Sequence, residues 1–295
     1  MNVSRWIEKN TADLSGKTVV ITGSTGGIGV PLCRHLAGLG ASLILVDRNE
    51  ERSLRHRGDL CSRFPGVNVE CVPADLEDIA SVKTACDRLK EMAPYAIIHN
   101  AGAYSIPRHK CSTGLDNVFQ INFAAPYYMT KELLPVLREC GGRVIVVGSV
   151  AHNYSKTDPD DVDFSTRSKA SLVYGNAKRY LMFAMHELFR EEKDVSLAVT
   201  HPGITFTNIT AHYPKLIFAV IKHPMKVIFM KPKAACLSIL WGLFRNTEYN
   251  CWIGPALFDV WGSPKVRTLN TSTAEERARI YETAEAIYCG MKASL

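Results

Sequence analysis

A chain of 295 residues with 46% hydrophobic residues is long enough for a central sheet covered by helices, as one large or two small domains. Its net charge of +6 comes without a dense basic stripe carrying interleaved aromatics, so nucleic acid is not an expected partner. Its nine cysteines include no Cys-x-x-Cys pair, so they read as free thiols packed as small apolar residues in a reducing compartment, with no metal site.

Residues 1–14 form an N-terminal extension without an apolar h-region, so no signal peptide is expected. No apolar run reaches the roughly 18 residues that a spanning helix needs. A first strand, Lys17–Thr22, runs into a turn with four glycines, Gly23, Gly26, Gly27 and Gly29, and then a helical pattern over Gly27–Gly38. Glycines let the backbone approach a ligand closely, and a helix start offers free N–H groups and partial positive charge. Strand, glycine turn and helix together suit a pyrophosphate. The alternation continues with strand Ser42–Val46, helix Glu50–Phe64, strand Val67–Val72, helix Glu77–Met92 and strand Ala96–His99. A long helix, Asp116–Arg138, is followed by strand Arg143–Val147, a polar insertion over His152–Ser168, helix Leu172–Glu191 and strand Val195–Thr200. Near-continuous apolar strands separated by helices predict a doubly wound, mostly parallel sheet of the Rossmann type, three layers deep, in one domain over residues 15–270. Residues 271–295 hold a final amphipathic helix, Thr273–Met291.

Residues suited to chemistry fall at the carboxyl ends of these strands. Asp47 ends the second strand, where an acidic residue accepts from the hydroxyls of an adenosine ribose and repels a 2′-phosphate. Arg48 beside it is suited to binding that phosphate. The pair favours NAD(H) over NADP(H) without excluding the latter. Asp75-Leu76 and Asn100-Ala101-Gly102 follow the third and fourth strands, beside the same crevice. Ser149 follows the fifth strand, placed to orient a carbonyl and to donate to a developing alkoxide. Tyr174 and Lys178, four residues apart on one helix, share a face. An ammonium there is expected to lower the phenol pKa toward that of a usable base. His152 and His201 read as loop or packing residues.

Together these residues resemble the short-chain dehydrogenase/reductase family. Thr22-Gly23-Ser24-Thr25-Gly26-Gly27-Ile28-Gly29 matches its Thr-Gly-x-x-x-Gly-x-Gly cofactor motif, and Asn100-Ala101-Gly102 its Asn-Ala-Gly motif, with His99 where a second asparagine is usual. Asn122, Ser149, Tyr174 and Lys178 match its catalytic tetrad. Pro202-Gly203-Ile204-Thr205-Phe206-Thr207 matches its Pro-Gly-x-x-x-Thr segment. The acidic insertion, the Ser149-Val150-Ala151-His152 tract and the Trp261–Val266 tail are most similar to the retinol dehydrogenase-like branch. The resemblance implies a nicotinamide-dependent oxidoreductase acting on an alcohol and its carbonyl. Tyr174 would be its acid/base, Lys178 would lower the tyrosine pKa and hold the ribose, Ser149 would position the reacting oxygen, and Asn122 would keep a water. Pro202, Gly203, Thr205 and Thr207 would line the nicotinamide end. It also makes a homo-oligomer plausible.

Residues 204–233 stand where such folds place a substrate lid. They contain Leu216–Ile221 and Val227–Met230, apolar and flanked by Lys215, Lys222, Lys226, Lys231 and Lys233. Three readings stay open: two core helices, an apolar lid over a steroid- or retinoid-like substrate, and a peripheral membrane contact through residues 215–233. The expected location is cytoplasmic or membrane-peripheral. The rival to catalysis is a silent dinucleotide-binding sensor or scaffold.

Overall fold

The computed structural model describes residues 2–205 and 230–295. The element order begins with α1 (Val3–Asn10), β1 (Thr18–Thr22), α2 (Gly29–Gly38), β2 (Ser42–Asp47), α3 (Glu50–Arg63), β3 (Val69–Pro73), α4 (Ile79–Glu91) and β4 (Ala96–His99). A helical turn α5 (Asn117–Phe119) passes through a π-helical turn (Gln120–Ala124) into α6 (Ala125–Glu139), followed by β5 (Arg143–Val147). A 3-10 turn (Val150–Tyr154), α7 (Ala170–Leu188) and β6 (Ser196–Thr200) come next. Beyond residue 229 lie α8 (Pro232–Ala235), α9 (Leu237–Trp241), β7 (Cys251–Leu257), β8 (Trp261–Thr268) and α10 (Ala274–Ala293).

The eight strands form one sheet in the order β3-β2-β1-β4-β5-β6-β7-β8, all parallel except the β7–β8 pair. The chain reverses direction across the sheet between β1 and β4. In a doubly wound sheet that switch point opens the ligand crevice at the carboxyl edge. The β1 pattern shows how two faces are filled at once. Val20 packs into the core cluster beneath α4, α6, α7 and α10, whereas Val19 and Ile21 pack into the opposite cluster with α2, α3 and α9. A strand turns successive side chains to opposite faces, so a sheet buried on both needs apolar residues at every position.

Three features depart from the sequence reading. The N-terminal extension contains α1, capped by Asn2, and its Trp6 meets Trp241 edge to face at 6.1 Å. The helix expected at Glu77 begins at Ile79, with Asp78 as the capping residue that accepts from the Ala80 amide. The sheet also gains an antiparallel hairpin, β7–β8, at its edge. Of the cysteines expected to pack inside, Cys33, Cys86 and Cys236 do, whereas Cys140 and Cys289 are exposed. No helix among the described residues is long and apolar enough to cross a membrane. Most of the expected lid falls outside the described residues.

Candidate active site

The glycine turn is built by backbone closeness. Gly23 has φ +67°, and a Cβ there would lie 2.8 Å from the Ala101 Cα. A Cβ on Gly29 would lie 2.3 Å from the Gly23 carbonyl oxygen. Asn100 donates from Nδ2 to the carbonyls of Thr22 (3.1 Å) and Gly23 (3.0 Å), and the Ala101 amide donates to Thr22 Oγ1 (3.0 Å). The Asn-Ala-Gly segment after β4 thus holds the turn after β1 across the switch point. Helices α1, α3, α4 and α10 carry side-chain caps from Asn2, Asn49, Asp78 and Thr273. By contrast, α2, whose N-cap is Ile28, has no capping side chain and no acidic residue in its first turn. An uncapped N-terminus behind a glycine turn fits the pyrophosphate of a dinucleotide. Thr25, Gly27 and Ile28 would line it with Ser24.

Asp47 ends β2 as expected, but its carboxylate is already engaged. Oδ2 accepts from Ser24 Oγ (2.5 Å) and Ser53 Oγ (3.2 Å), and Oδ1 accepts from the Thr25 amide (3.2 Å) and Thr25 Oγ1 (3.1 Å). Four donors fill the roughly four lone-pair sites of a carboxylate. The residue is 6% exposed. Arg48 instead projects outward, its side chain 68% exposed, with one contact to Glu77 at 3.3 Å. Asp75 Oδ1 accepts from the Glu77 amide at 3.0 Å, closing a turn at the carboxyl edge beside the buried Leu76.

The expected catalytic residues converge from three segments. Asn122 lies in the π-helical turn, where Pro126 has no N–H to offer the carbonyl four residues before it. Its side chain donates to the carbonyls of Ala103 and Val118 (both 2.8 Å) and accepts from the Ala103 amide (3.3 Å). At Gly102 a Cβ would sit 2.8 Å from Asn122 Oδ1 and 3.6 Å from Lys178 Nζ, so glycine lets this loop meet both residues. Ser149 caps the 3-10 turn, accepting from the Ala151 amide at 3.2 Å, and its side chain lies where it favours the Tyr174 phenolate. Lys178, one helical turn beyond Tyr174, places Nζ 5.7 Å from the tyrosine ring centroid and donates to the Val147 carbonyl at 2.8 Å. Tyr104 meets Tyr174 edge to face at 5.4 Å.

The electrostatics correct one expectation. Burial dominates both members of the pair. It pushes the Tyr174 phenol up to about 12, against the lowering effect of Ser149, and pulls the Lys178 ammonium down to about 7. Each group is therefore held toward its neutral form. His99 is buried, its Nε2 2.9 Å from Thr130 Oγ1, and burial with the nearby Lys178 charge lowers it to about 3. It is a neutral tie between β4 and α6. His152 uses both ring nitrogens, on the Ser149 carbonyl and on Thr271 Oγ1, and His201 stacks on Trp252 at 4.0 Å. Pro202 and Gly203 follow β6. The Gly203 amide donates to His201 Nδ1, and its φ of +76° suits glycine. Thr205 makes a bridge to Met230. Thr207 lies outside the described residues.

A family model described as short chain dehydrogenase matches residues 17–215, more than half of the chain. The chain belongs to the short-chain dehydrogenase family. Human retinol dehydrogenase 14 is 30% identical over 217 residues, which cover 68% of this chain and 65% of that protein. This chain therefore spans a little under two thirds of that relative's length. Human polyprenol dehydrogenase is 24% identical over 247 residues, covering 80% of this chain and 70% of that protein. Among solved structures, an uncharacterised protein from Mycobacterium Paratuberculosis has a TM-score of 0.76 at 22% identity, covering 94% of this chain and 95% of its own. A short-chain dehydrogenase from Sphingobium yanoikuyae in complex with NADPH has a TM-score of 0.62 at 22% identity, covering 95% and 96%. At these identities the structural likeness speaks to the fold. Family membership makes this short-chain dehydrogenase an NAD(P)-dependent oxidoreductase with a small-molecule substrate, and its relatives include retinol dehydrogenases.

Proposed function

We propose that this short-chain dehydrogenase interconverts an alcohol and its ketone or aldehyde on a bulky apolar molecule, steroid- or retinoid-like, with Tyr174 as the general acid/base. The observation that carries this reading is the convergence of Ser149, Tyr174 and Lys178 beside Asn122 at the carboxyl edge of the sheet. The relatives named for retinol and polyprenol, both apolar alcohols, support the substrate class. So does the apolar composition of residues 216–221 and 227–230.

The nicotinamide supplies or accepts the hydride. Tyr174 passes the hydroxyl proton, and Ser149 holds the reacting oxygen against it. Lys178 carries a proton within reach of neutral pH, so a phenolate forming on Tyr174 gains a cation one helical turn away. The phosphates would meet the uncapped start of α2 and the turn of Thr22, Gly23, Ser24, Thr25, Gly27, Ile28 and Gly29. Asn100, Ala101 and Gly102 would back the ribose and nicotinamide. Lys178 would hold that ribose, with Pro202, Gly203, Thr205 and Thr207 at the carboxamide.

For the adenosine end, a preference for NAD(H) requires Asp47 to accept from the ribose, and four donors already occupy it. Arg48 is the group with free capacity, so we read the site as accepting both cofactors, with Arg48 carrying the 2′-phosphate contact. Steady-state kinetics on a panel of steroid, retinoid and long-chain ketones and alcohols, with NAD(H) and NADP(H) in parallel, tests both statements. Turnover confined to small polar sugars or acids would end the apolar reading. Arg48→Ala should raise KM for NADPH about tenfold, the loss of one charge-assisted contact, and leave KM for NADH unchanged. A uniform change with both cofactors would remove Arg48 from the discrimination.

A second reading concerns where the reaction takes place. The β7–β8 turn presents Leu257, Phe258 and Trp261 to solvent, Phe258 at 83% exposure and φ +52°. This turn lies beyond the end of β7, at the carboxyl edge that also carries Ser149. Trp and Phe on a hairpin that also carries the exposed Lys265 suit the interface of an anionic bilayer. Co-flotation with anionic liposomes should fall sharply in Phe258→Asp, and equal flotation of both proteins would count against this contact.

A further inference from the structure

We propose that Glu276, in the first turn of α10, is a positioning residue for catalysis. Paired with Arg179, it locks the loop that carries Ser149 onto the helix that carries Tyr174 and Lys178. The inference rests on the catalytic reading above and assigns the C-terminal helix a part in it.

Arg179 directly follows Lys178 and is 2% exposed. It meets Glu276 through two hydrogen bonds, Nε to Oε1 at 2.7 Å and Nη2 to Oε2 at 2.5 Å. Taking two charges out of water costs several kcal/mol per ion, so such a pair persists only where further hydrogen bonds complete it. Those bonds are present, and they name the segments being joined. Arg179 Nη1 donates to the His152 carbonyl at 3.2 Å, and Nη2 to the Thr271 carbonyl at 2.5 Å. Glu276 Oε1 also accepts from the amide and hydroxyl of Thr157 in the polar insertion, at 3.4 and 3.2 Å. The 3-10 turn, the insertion, α7 and the approach to α10 thus converge on one ion pair.

The connection to Ser149 runs through His152. The Ser149 carbonyl can only accept, so the proton of His152 sits on Nδ1, 2.7 Å away. Nε2 then accepts from the Thr271 hydroxyl at 2.9 Å. Thr271 in turn offers its carbonyl to Arg179, which closes a circuit of hydrogen bonds around the turn. The turn also rests directly on α7. A Cβ on Gly175 would lie 2.3 Å from the Ala151 carbonyl oxygen, so the backbone beside Tyr174 touches the backbone beside Ser149. Ser149 stays beside Tyr174 only while this turn stays in place. A displacement of about 1 Å in a reacting constellation can lower a rate about 100-fold.

The test separates positioning from simple stabilisation. Glu276→Gln keeps the shape and leaves Arg179 buried without its counter-charge, so both Tm and kcat should fall. Arg179→Met combined with Glu276→Leu removes both charges and should recover Tm. If the pair positions Ser149, kcat stays ten- to a hundredfold below wild type in that double variant while KM for the cofactor stays within about twofold. Asp59→Asn, which breaks the partly exposed Arg34–Asp59 pair between α2 and α3, is the control and should leave kcat unchanged. Recovery of kcat along with Tm, or a wild-type kcat in Glu276→Gln, would overturn the proposal. Tyr174→Phe is assayed in parallel. If the wild type shows no Tyr174-dependent turnover, the catalytic reading has failed, and amide hydrogen exchange over residues 149–154 then judges the lock alone. Faster exchange there in Glu276→Gln supports the lock, and unchanged exchange refutes it.

Discussion

Tyr174 and Lys178 illustrate what spacing in a sequence conveys and what it does not. Four residues apart on α7, they share a face, and that much follows from helix geometry. The sign of their pKa shifts does not follow, because it depends on burial that only the packed structure sets. In the unfolded chain Lys178 titrates near the ordinary lysine value of 10.5, and in the folded chain burial brings it down to about 7. Between these values the unfolded chain binds more protons, so Lys178 makes stability rise as pH rises from about 7 to about 10.5. Tyr174 acts in the opposite sense higher up, since its folded value of about 12 lies above the ordinary tyrosine value of 10.0. Chemical denaturation at a series of pH values should show that rise in the wild type and a smaller one in Lys178→Met. Parallel profiles for the two proteins would show that Lys178 is not desolvated as described. Asp47 teaches the same lesson. Its place at the end of β2 was legible, but the four donors from Ser24, Thr25 and Ser53 come from segments that only the fold brings together.

Among the elements, the glycine turn with α2 was the most legible, because each glycine there answers a steric need. Gly29→Ala would set a Cβ 2.3 Å from the Gly23 carbonyl oxygen. Overpacking of that kind costs about 1–3 kcal/mol and should also open the turn that faces the phosphates. The expected outcome is a lower Tm together with a weaker cofactor affinity by isothermal titration. An unchanged affinity would separate the turn from the phosphates. The long helix after β4 was less legible. Its periodicity reads as continuous from Asp116 to Arg138, yet the structure widens it into a π-helical turn over Gln120–Ala124. The signal was present in Pro126, which removes one donor just where Asn122 sits, but an early proline also reads as an ordinary first-turn residue. For α10, Thr273 accepts from the Glu276 amide at 3.2 Å. Thr273→Ala should lower stability by about 1 kcal/mol, and a Tm equal to wild type would deny the cap.

At the scale of the whole molecule, the six parallel strands were legible because a sheet buried on both faces must be apolar at every position. The hairpin that completes the sheet was not. In Cys251–Leu257, Gly254 and Pro255 interrupt the apolar run, and Pro255 stands opposite Pro264 on β8. Proline is tolerated near a sheet edge, where a missing donor breaks no essential ladder, so an edge pair escapes a reading based on strand propensity. The α1 helix was hidden for a related reason. Eight residues are too few for a stable isolated helix, and this one is held by Trp6 on Trp241. Trp6→Ala should lower stability by about 1–2 kcal/mol through lost apolar burial and leave kcat unchanged. A loss of turnover there would mean that α1 reaches the active site.

The central claim is that Tyr174 carries the proton in a nicotinamide-dependent redox reaction. Single-turnover hydride transfer in wild type and Tyr174→Phe, at saturating cofactor and with cofactor affinity measured separately, tests it most directly. The account predicts a rate at least about 100-fold lower in Tyr174→Phe, as expected for loss of a general acid/base, with cofactor affinity retained. Equal rates in the two proteins would contradict it.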